Sequence, residues 1–436
     1  MVSPVTAIDA SALLRFLWLA LVLELPVYAI CFVGVLFHGF KERFKEALEK
    51  RRMDDAGFLP CVSCIVTCYS EGRDVGTTIH TLLEQIYPGV IEILVVVDGA
   101  VQNRETYRAA REWQASARAY PRRRLEILPK RTRGGRVSSL NTGRQFARGE
   151  IVLALDGDTS FDNDMVWQIT RPFADPGVAA VSGALRVRNA AASLVARLQS
   201  LEYMLTIQFA RTGLTTLNTV NNVSGAFGAF RRDLLERLSG WDAGTAEDLD
   251  LTLRIKKRFG ANARFRIAHQ PRAIGHTDVP TSWRAFFRQR LRWDGDLYYL
   301  YVRKHWRSLK PSLLGWPNFL MLMWTGLYFQ LLLPFVVVAA TVWLLVTLPF
   351  PALLFVGAVT YSFYLLLTLV LFVTYALVLS ERQRDDWPYL KFVPLFPFYA
   401  FATRVWNAFS TLAEALAQQH LDSSMAPWWV LKKTRF

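Results

Sequence analysis

The distribution of apolar and polar positions divides the chain into two strongly apolar ends and a mixed middle. Residues 13–37 form an apolar stretch interrupted by Glu24 and Pro26, and residues 319–348 and 352–379 form two more, joined by the short LPFPA turn. Each exceeds the ~20 residues needed to cross a bilayer. The middle, from about residue 51 to residue 311, alternates short β-branched runs with helical stretches. That alternation is typical of an α/β sheet domain.

The first apolar stretch is interpreted as an uncleaved membrane anchor, because it is too long for a signal-peptide core and lacks a small-x-small cleavage site. The basic segment KERFKEALEKRR follows it, whereas the residues before it carry almost no charge. The positive-inside rule then predicts an outside N-terminus and a cytosolic middle domain. Glu24 either faces a protein neighbour or water, or reaches up to the interface, and the sequence leaves both open.

The C-terminal third predicts a membrane hairpin and a helix of a different kind. Residues 319–348 are longer than one span, so Pro334 kinks the helix or the first part lies along the membrane surface. Residues 387–416 begin with three prolines and are later interrupted by Arg404 and Glu414. This pattern favours an amphipathic interfacial helix over a further span. The aromatic, Arg-rich segment 282–306 indicates another interfacial helix.

These patterns predict five units along the chain. They are an anchor with its basic stop (1–50), a cytosolic sheet domain (51–280), interfacial helices (281–318), a transmembrane hairpin (319–380), and an interfacial or transmembrane helix with a basic tail (381–436). Lys and Arg exceed Asp and Glu by 51 − 36 = 15. Because the basic residues flank the apolar stretches, the expected partner is an anionic membrane surface and not nucleic acid.

The cysteines predict buried thiols in a reducing compartment. Cys31 lies in the anchor, and Cys61, Cys64 and Cys68 lie in one apolar run. Alternation along a strand would point Cys61 and Cys64 to opposite faces, which disfavours a shared metal site.

Four apolar runs in the middle predict the strands of the sheet. They cover residues 62–67, 91–98, 125–128 and 151–158, and a helix is predicted over 75–85 after the first. Ligands of such sheets bind at the carboxyl ends of the strands. Acidic residues lie at two of these ends: Asp98 after the second strand, and Asp156 with Asp158 after the fourth.

Three polar clusters are candidates for chemistry. The Asp-Gly-Asp pair suits a hard divalent cation that also holds a diphosphate, although it is also compatible with a plain polar turn. The acids of GTAEDLD, at 247, 248 and 250, either complement a helix dipole or belong to a site. QRLRW, at 289–293, combines an amide, two guanidiniums and an indole. These groups suit a diphosphate and a sugar face, or an interfacial anchor.

Taken in order, the motifs resemble those of the processive family 2 glycosyltransferases, which include cellulose, chitin, hyaluronan and poly-N-acetylglucosamine synthases. The motifs are VTCYSEG, the Asp98 strand end, GGRVSSLNTG, LALDGD, VSGAFGAFRR, TAED and QRLRW, and the similarity covers about residues 60–293. Ceramide glucosyltransferases show the same order less completely. The resemblance implies a GT-A fold: a mostly parallel sheet with helices on both faces, attached to an α-helical membrane region in a bacterial inner or plasma membrane.

The resemblance also implies roles for individual residues on the donor side. The implied donor-binding residues are Thr67, Tyr69, Glu71, Asp98, Arg136 and Asp156, of which Tyr69, Glu71 and Asp98 hold the uridine part. Asp158 would hold Mg²⁺ or Mn²⁺ on the donor diphosphate. Arg136 stands where a lysine is frequent and keeps its charge.

On the acceptor side, Asp248 matches the general base, with Glu247 beside it. The implied acceptor and diphosphate residues are Gln289, Arg290, Arg292, Trp293, Ser224 and Gly225. Two departures stand out: Ala246 replaces the threonine of T-E-D, and a gating loop of the F-x-V-T-x-K kind is absent. The C-terminal PWWVLKKTRF either substitutes for that loop, through Lys433, Thr434 or Arg435, or serves as a basic membrane anchor.

The implied activity is inverting transfer from a UDP-sugar to a growing β-linked polysaccharide, with export through the membrane. A single transfer to a lipid acceptor is the alternative. Three spans are too few to line a polymer channel, so the first reading needs a small partner subunit, a homo-oligomer, or interfacial helices that complete the pore. A receptor for nucleotide sugars is disfavoured because the base, the acid pair and Q-x-x-R-W are all retained.

Overall fold

The computed structural model describes residues 20–49, 58–242 and 246–417, without the side chains of 45–49. The C-terminal motif with Lys433, Thr434 and Arg435 lies outside the described residues. The strands are β1 Val62–Cys68, β2 Ile91–Val97, β3 Arg123–Pro129, β4 Ile151–Asp156, β5 Ser160–Phe161, β6 Val178–Val187, β7 Phe227–Arg231 and β8 Arg266–Thr277.

The first nine α-helices are α1 Leu25–Glu49, α2 Asp74–Leu83, α3 Arg104–Ser116, α4 Gly135–Phe146, α5 Met165–Thr170, α6 Leu194–Glu202, α7 Arg211–Thr216, α8 Arg232–Arg237 and α9 Glu247–Lys256. The remaining ones are α10 Trp283–Tyr298, α11 Pro311–Leu314, α12 Trp316–Met321, α13 Leu333–Thr347, α14 Phe350–Val378, α15 Gln383–Asp386 and α16 Phe396–Ala417. π-helical segments precede α1 (Ala20–Glu24), join α6 to α7 (Tyr203–Ala210), follow α10 (Tyr299–Lys304) and join α12 to α13 (Leu322–Leu332).

The eight strands form one sheet in the order β3-β2-β1-β4-β7-β6-β8-β5. The four strands predicted from the sequence are the parallel half, β3-β2-β1-β4. The other half is mixed, since β7 runs antiparallel to both β4 and β6, and β8 is parallel to β6. The GT-A class is therefore confirmed with a mixed sheet, less parallel than expected.

Helices cover both faces of the parallel half. On one face Val66, Leu155 and Ile79 of α2 belong to one buried cluster. On the other, Ile65, Ala154 and Leu140 of α4 belong to a second. A parallel strand buried on both faces reads as a continuous apolar run, which is why these strands were visible in the sequence.

Three helices of the described chain are long and apolar enough to cross a membrane: Ala20–Phe44, Trp316–Thr347 and Phe350–Val378. They match the three predicted spans. The second runs on through Pro334, and a π-helical segment lies immediately before this proline. Proline has no backbone N–H to donate, and the wider π-helical turn lets the helix continue without that hydrogen bond.

The helix α16 is not among these candidates. It packs along α10, where the Trp406 indole donates to the Phe287 carbonyl at 2.9 Å. It also packs against the two helices of the hairpin, α13 and α14. The predicted interfacial helix is thus integrated into the membrane region by its contacts with other helices.

Glu24 meets a protein neighbour, the first of the two alternatives. Only 2% of it is exposed. The Arg404 guanidinium of α16 donates to both carboxylate oxygens, at 3.0 and 2.7 Å, and the Tyr364 hydroxyl of α14 donates to one of them at 3.0 Å. One ion pair therefore links three helices of the membrane region.

Removing the cation should destabilise the membrane region strongly. Arg404→Ala leaves the Glu24 carboxylate buried without its counter-charge, a change that typically costs about 3–5 kcal/mol. The measurement is thermal unfolding of the purified protein in detergent. Arg237→Ala is the matched control, because its pair with Asp233 is exposed on both sides and such pairs contribute little. Equal unfolding temperatures for the two variants would contradict the inference.

The sheet domain is tied to the first span by a contact that the sequence patterns did not predict. At the crossing of α1 and α7, a Cβ on Gly34 would come within 2.4 Å of the Gly213 carbonyl oxygen. A Cβ on Gly213 would come within 2.4 Å of the Cys31 carbonyl oxygen. Small residues permit this close packing of helices. The predicted boundary between cytosolic domain and membrane region is therefore bridged by α6–α7.

Candidate active site

One cavity of about 1490 Å³ begins at the carboxyl ends of β1, β2 and β4 and continues between the membrane helices. Every site residue predicted from the sequence lines it. Residues from 67 to 293 in the chain therefore meet in one place. What each does there follows from its contacts.

Asp98 organises the turn that begins α4. The Lys130 ammonium donates to it at 2.6 Å, and the backbone amides of Gly134 and Gly135 donate at 2.8 and 2.7 Å. Gly135 has φ +79°, a conformation that side chains other than glycine rarely adopt. Asp98, predicted to hold uridine, thus also fixes the loop that presents Arg136. Lys130 is a site residue that the motifs did not indicate.

Tyr69 and Glu71, which were both predicted to bind the donor, form another part of the cavity wall. The Arg133 guanidinium lies 4.1 Å from the centre of the Tyr69 ring, a cation–π contact that the sequence did not predict. The Tyr69 amide donates to Glu71 at 2.6 Å. Burial raises the pKa of Glu71, and the charge of Asp158 raises it further. Two carboxylates therefore face one region, and neither forms an ion pair with a described residue.

Arg136 connects four parts of the site. Its guanidinium donates to the Thr67 hydroxyl at 2.9 Å, to the Gly225 carbonyl at 2.6 Å and to Glu247 at 2.5 Å, and it pairs with Asp156. Asp156 is neutralised by the chain itself. Glu247 is only 5% exposed; burial raises its pKa while the Arg136 charge opposes the shift.

Asp158 has the opposite environment. It is exposed, and within the described part of the chain its carboxylate accepts one long contact, from the Thr159 hydroxyl at 3.5 Å. Gly157, between the two acids, packs closely against the end of β1, because a Cβ on it would lie 2.8 Å from the Cys68 sulfur. A free carboxylate beside Glu71 fits an ion such as Mg²⁺, which binds one or two carboxylates and takes its other ligands from phosphate and water.

Asp248 lies on the face of α9 that forms one wall of the cavity. The Gly225 amide donates to it at 3.0 Å and the Asn222 side chain at 3.2 Å. One turn on, the Thr252 hydroxyl accepts from the Val223 amide at 3.0 Å. Positions four apart on α9 thus hold successive residues of segment 219–225. Asp248 remains partly exposed to the cavity.

A buried lysine continues this helix face. Lys256 is 0% exposed, and its ammonium donates to Asn221 at 2.8 Å. The Asn221 amide in turn donates to the Thr325 hydroxyl at 2.5 Å. Burial lowers the pKa of Lys256 to about 7. These hydrogen bonds connect α9 to the second membrane span.

Asp250, the third acid of this cluster, has a structural role. It is fully buried and contacts His305 at 2.8 Å, Lys304 at 2.7 Å and Arg254 at 2.7 Å. Burial alone would raise its pKa, but these partners hold the pKa well below its usual value. For this residue the site interpretation is therefore replaced by an ion-pair network that joins α9 to the segment after α10.

The QRLRW residues lie on α10 and separate into two roles. Arg290 donates to Glu202 at 2.5 Å and lies 5.0 Å from the Trp293 ring centre. The guanidinium of Arg290 thus has a carboxylate partner and contacts Trp293, and its diphosphate role stays a prediction. Arg292 lines the cavity and forms no ion pair with a described residue. The Gln289 side-chain oxygen is buried without a hydrogen-bond partner.

Three of the four cysteines lie in β1 or directly before it. Cys64 and Cys68 are buried and Cys61 is partly exposed, and all four cysteines of the chain are free thiols.

Comparison with known proteins gives a consistent family. Residues 60–295 match the family model described as glycosyltransferase-like family 2. An N-acetylglucosaminyltransferase of Sinorhizobium fredii is 29% identical over 55% of this chain and 57% of its own. A poly-β-1,6-N-acetyl-D-glucosamine synthase of Staphylococcus epidermidis is 24% identical over 58% of each chain. The matches thus cover less than two thirds of these relatives.

A solved structure extends the likeness to the membrane helices. It is a mannosyltransferase of Pyrobaculum calidifontis in complex with GDP-Man and Mn²⁺. The TM-score is 0.56 at 21% identity, over 90% of this chain and 99% of that one. At this identity the likeness concerns the fold.

Proposed function

The chain belongs to the glycosyltransferase-like family 2, and we propose that it transfers a sugar from a UDP-sugar to the end of a β-linked glycan at a membrane surface. The observation that supports this most is the single cavity in which the donor-side acids, Asp248 and Trp293 meet next to the membrane helices. Relatives named N-acetylglucosaminyltransferase and poly-N-acetylglucosamine synthase favour N-acetylglucosamine as the sugar.

The contacts support an in-line displacement. Asp248 accepts the proton of an acceptor hydroxyl, which attacks C1 of the donor sugar from the face opposite the diphosphate. Arg292, free of a carboxylate partner, stabilises the charge of the departing diphosphate. Attack from the opposite face inverts the anomeric carbon, so an α-linked donor gives a β-linked product.

Asp158, with Glu71 beside it, would hold Mg²⁺ or Mn²⁺. When bound, such an ion neutralises the diphosphate charge. The Mn²⁺ of the Pyrobaculum mannosyltransferase complex supports this assignment by analogy of fold. Arg136 keeps Asp156 and Glu247 in place without occupying Asp158.

The proposed orientation places the sheet domain in the cytosol. The basic residues after the first span support it through the positive-inside rule. UDP-sugar would then reach the carboxyl ends of β1, β2 and β4 directly. The five units predicted from the sequence remain our proposed organisation, with α10 and α16 at the interface.

The product length tests whether transfer is processive. We expect membranes containing the protein and UDP-N-acetylglucosamine to release UDP and form long polymer at low turnover, with unextended acceptor remaining. Trp293→Ala should shorten or abolish the polymer, because an indole that stacks on the terminal sugar retains it after each transfer. UDP-glucose and UDP-glucuronate are assayed in parallel to identify the donor.

Trp306→Ala is the matched control, since Trp306 is exposed near the same helix and does not line the cavity. It should leave the polymer length unchanged. A single-sugar product from the unmodified protein in native membranes would contradict processivity. No UDP release with any donor would contradict the proposed function.

A further inference from the structure

The cavity does not end at Trp293; it has a second leg between α13, α14 and α16, here called the membrane leg. One face of α13 lines it through Leu333, Val337, Ala340 and Leu344, which recur at helical spacing. One face of α14, from residue 353 to residue 371, lines the opposite side. At ~1.5 Å per residue these 18 steps cover about 27 Å, close to the hydrocarbon thickness of a bilayer.

The far part of the membrane leg offers almost no hydrogen-bonding groups. Its three hydroxyls are already engaged with backbone carbonyls: Thr341 donates to Val337 at 2.7 Å, Thr360 to Val356 at 2.8 Å and Tyr361 to Pro394 at 3.2 Å. Nearer the catalytic end, the two charged groups of the leg, Glu24 and Arg404, are engaged with each other.

This lining discriminates between possible occupants. Each sugar of a glycan carries several hydroxyls, and a hydroxyl that enters an apolar site loses its hydrogen bonds to water without replacement. An apolar chain meets no such cost. The leg also has open space, because a Cβ added to Gly357 would meet no heavy atom within 4 Å.

The catalytic end adds a charge to this selection. Arg211 lines the cavity, and the negative charge of Asp248 acts on its guanidinium. It donates to the Ser182 hydroxyl at 3.0 Å and forms no ion pair with a described residue. A cation without a carboxylate partner favours an anionic group on the molecule that occupies the cavity.

We propose that the acceptor glycan is carried on a phosphate-bearing lipid whose apolar chain lies in the membrane leg and whose head group reaches Asp248. The inference rests on the proposed function and names its acceptor class. Because the leg opens into the same cavity as Asp248, an apolar chain in the leg places its own head group at the catalytic end. The lining also disfavours passage of the product along this route, so export would require another subunit.

The test follows the label from radioactive UDP-N-acetylglucosamine in membranes that contain the full-length protein. Products are separated into an organic-solvent extract and a water-soluble polymer fraction, and the extract is treated with mild acid, which cleaves sugars from lipid phosphates. We expect acid-labile label in the organic extract. Gly357→Trp, which fills the leg, should lower it at least about tenfold.

Leu366→Trp is the matched control: it lies on the same helix, is 62% exposed and does not line the cavity. It should retain the label. Gly357→Leu is included as a second substitution at this position. The binding of UDP-N-acetylglucosamine to each variant shows whether its sheet domain is intact. Transfer into water-soluble polymer alone, or a Gly357→Trp protein as active as Leu366→Trp, would overturn the lipid acceptor and leave the proposed function standing. Absence of transfer into either fraction would count against the proposed function itself.

Discussion

Asp248→Asn is expected to lower the rate of sugar transfer about 100-fold or more, the usual effect of losing a general base. The amide keeps the shape of the side chain, but it cannot take the proton of the acceptor hydroxyl. The donor-side contacts through Arg136, Thr67 and Asp156 do not involve Asp248. The binding of UDP-sugar should therefore persist, so the effect should appear in turnover and not in donor affinity.

The measurements are UDP release at saturating donor and the dissociation constant of UDP-sugar. Asp233→Asn, an exposed acid of α8, is the control for the loss of one carboxylate. Glu247→Gln separates the two adjacent acids. Because Glu247 is buried against Arg136, we expect this variant to impair donor binding first. Normal turnover in Asp248→Asn together with an inactive Glu247→Gln that still binds donor would assign the base to Glu247.

The parallel half of the sheet was predictable because its strands are buried on both faces. Val62–Cys68 and Ile91–Val97 are buried at every position, so they read as mostly apolar runs, with Ser63, Thr67 and Glu92 as the exceptions. The strand β8, by contrast, alternates exposed and buried positions and contains a proline. Its pairing with β6 shifts register twice. Such strands depend on tertiary partners that local patterns do not contain.

The acids at the strand ends were predictable from topology, since parallel strands bring their carboxyl ends together. Residues that act across long chain separations were not. Arg133 reaches Tyr69, and Lys256 reaches Asn221 and through it Thr325. No short motif connects these positions. Residue type alone also does not reveal that Glu202 lies beside Arg290.

Asp158→Ala is expected to abolish the metal-dependent part of donor binding. Loss of a group that only orients a metal ligand already costs about 10–100-fold in metal affinity, so loss of a direct carboxylate ligand should cost at least about 100-fold. Mn²⁺ electron paramagnetic resonance measures this without catalysis, because the signal of free Mn²⁺ falls when the ion binds with UDP. EDTA should abolish transfer by the unmodified protein.

The contrast between the two acids of Asp-Gly-Asp makes this prediction specific. Asp156 is paired with Arg136, whereas Asp158 forms no ion pair with a described residue. Asp156→Asn should therefore disturb Arg136 and the sheet-end geometry while Mn²⁺ binding with UDP is weakened less than in Asp158→Ala. Glu71→Gln should fall between them, since Glu71 shares the region with Asp158. Full activity in EDTA, or equal Mn²⁺ affinity in Asp158→Ala and the unmodified protein, would reduce the pair to a polar turn after β4.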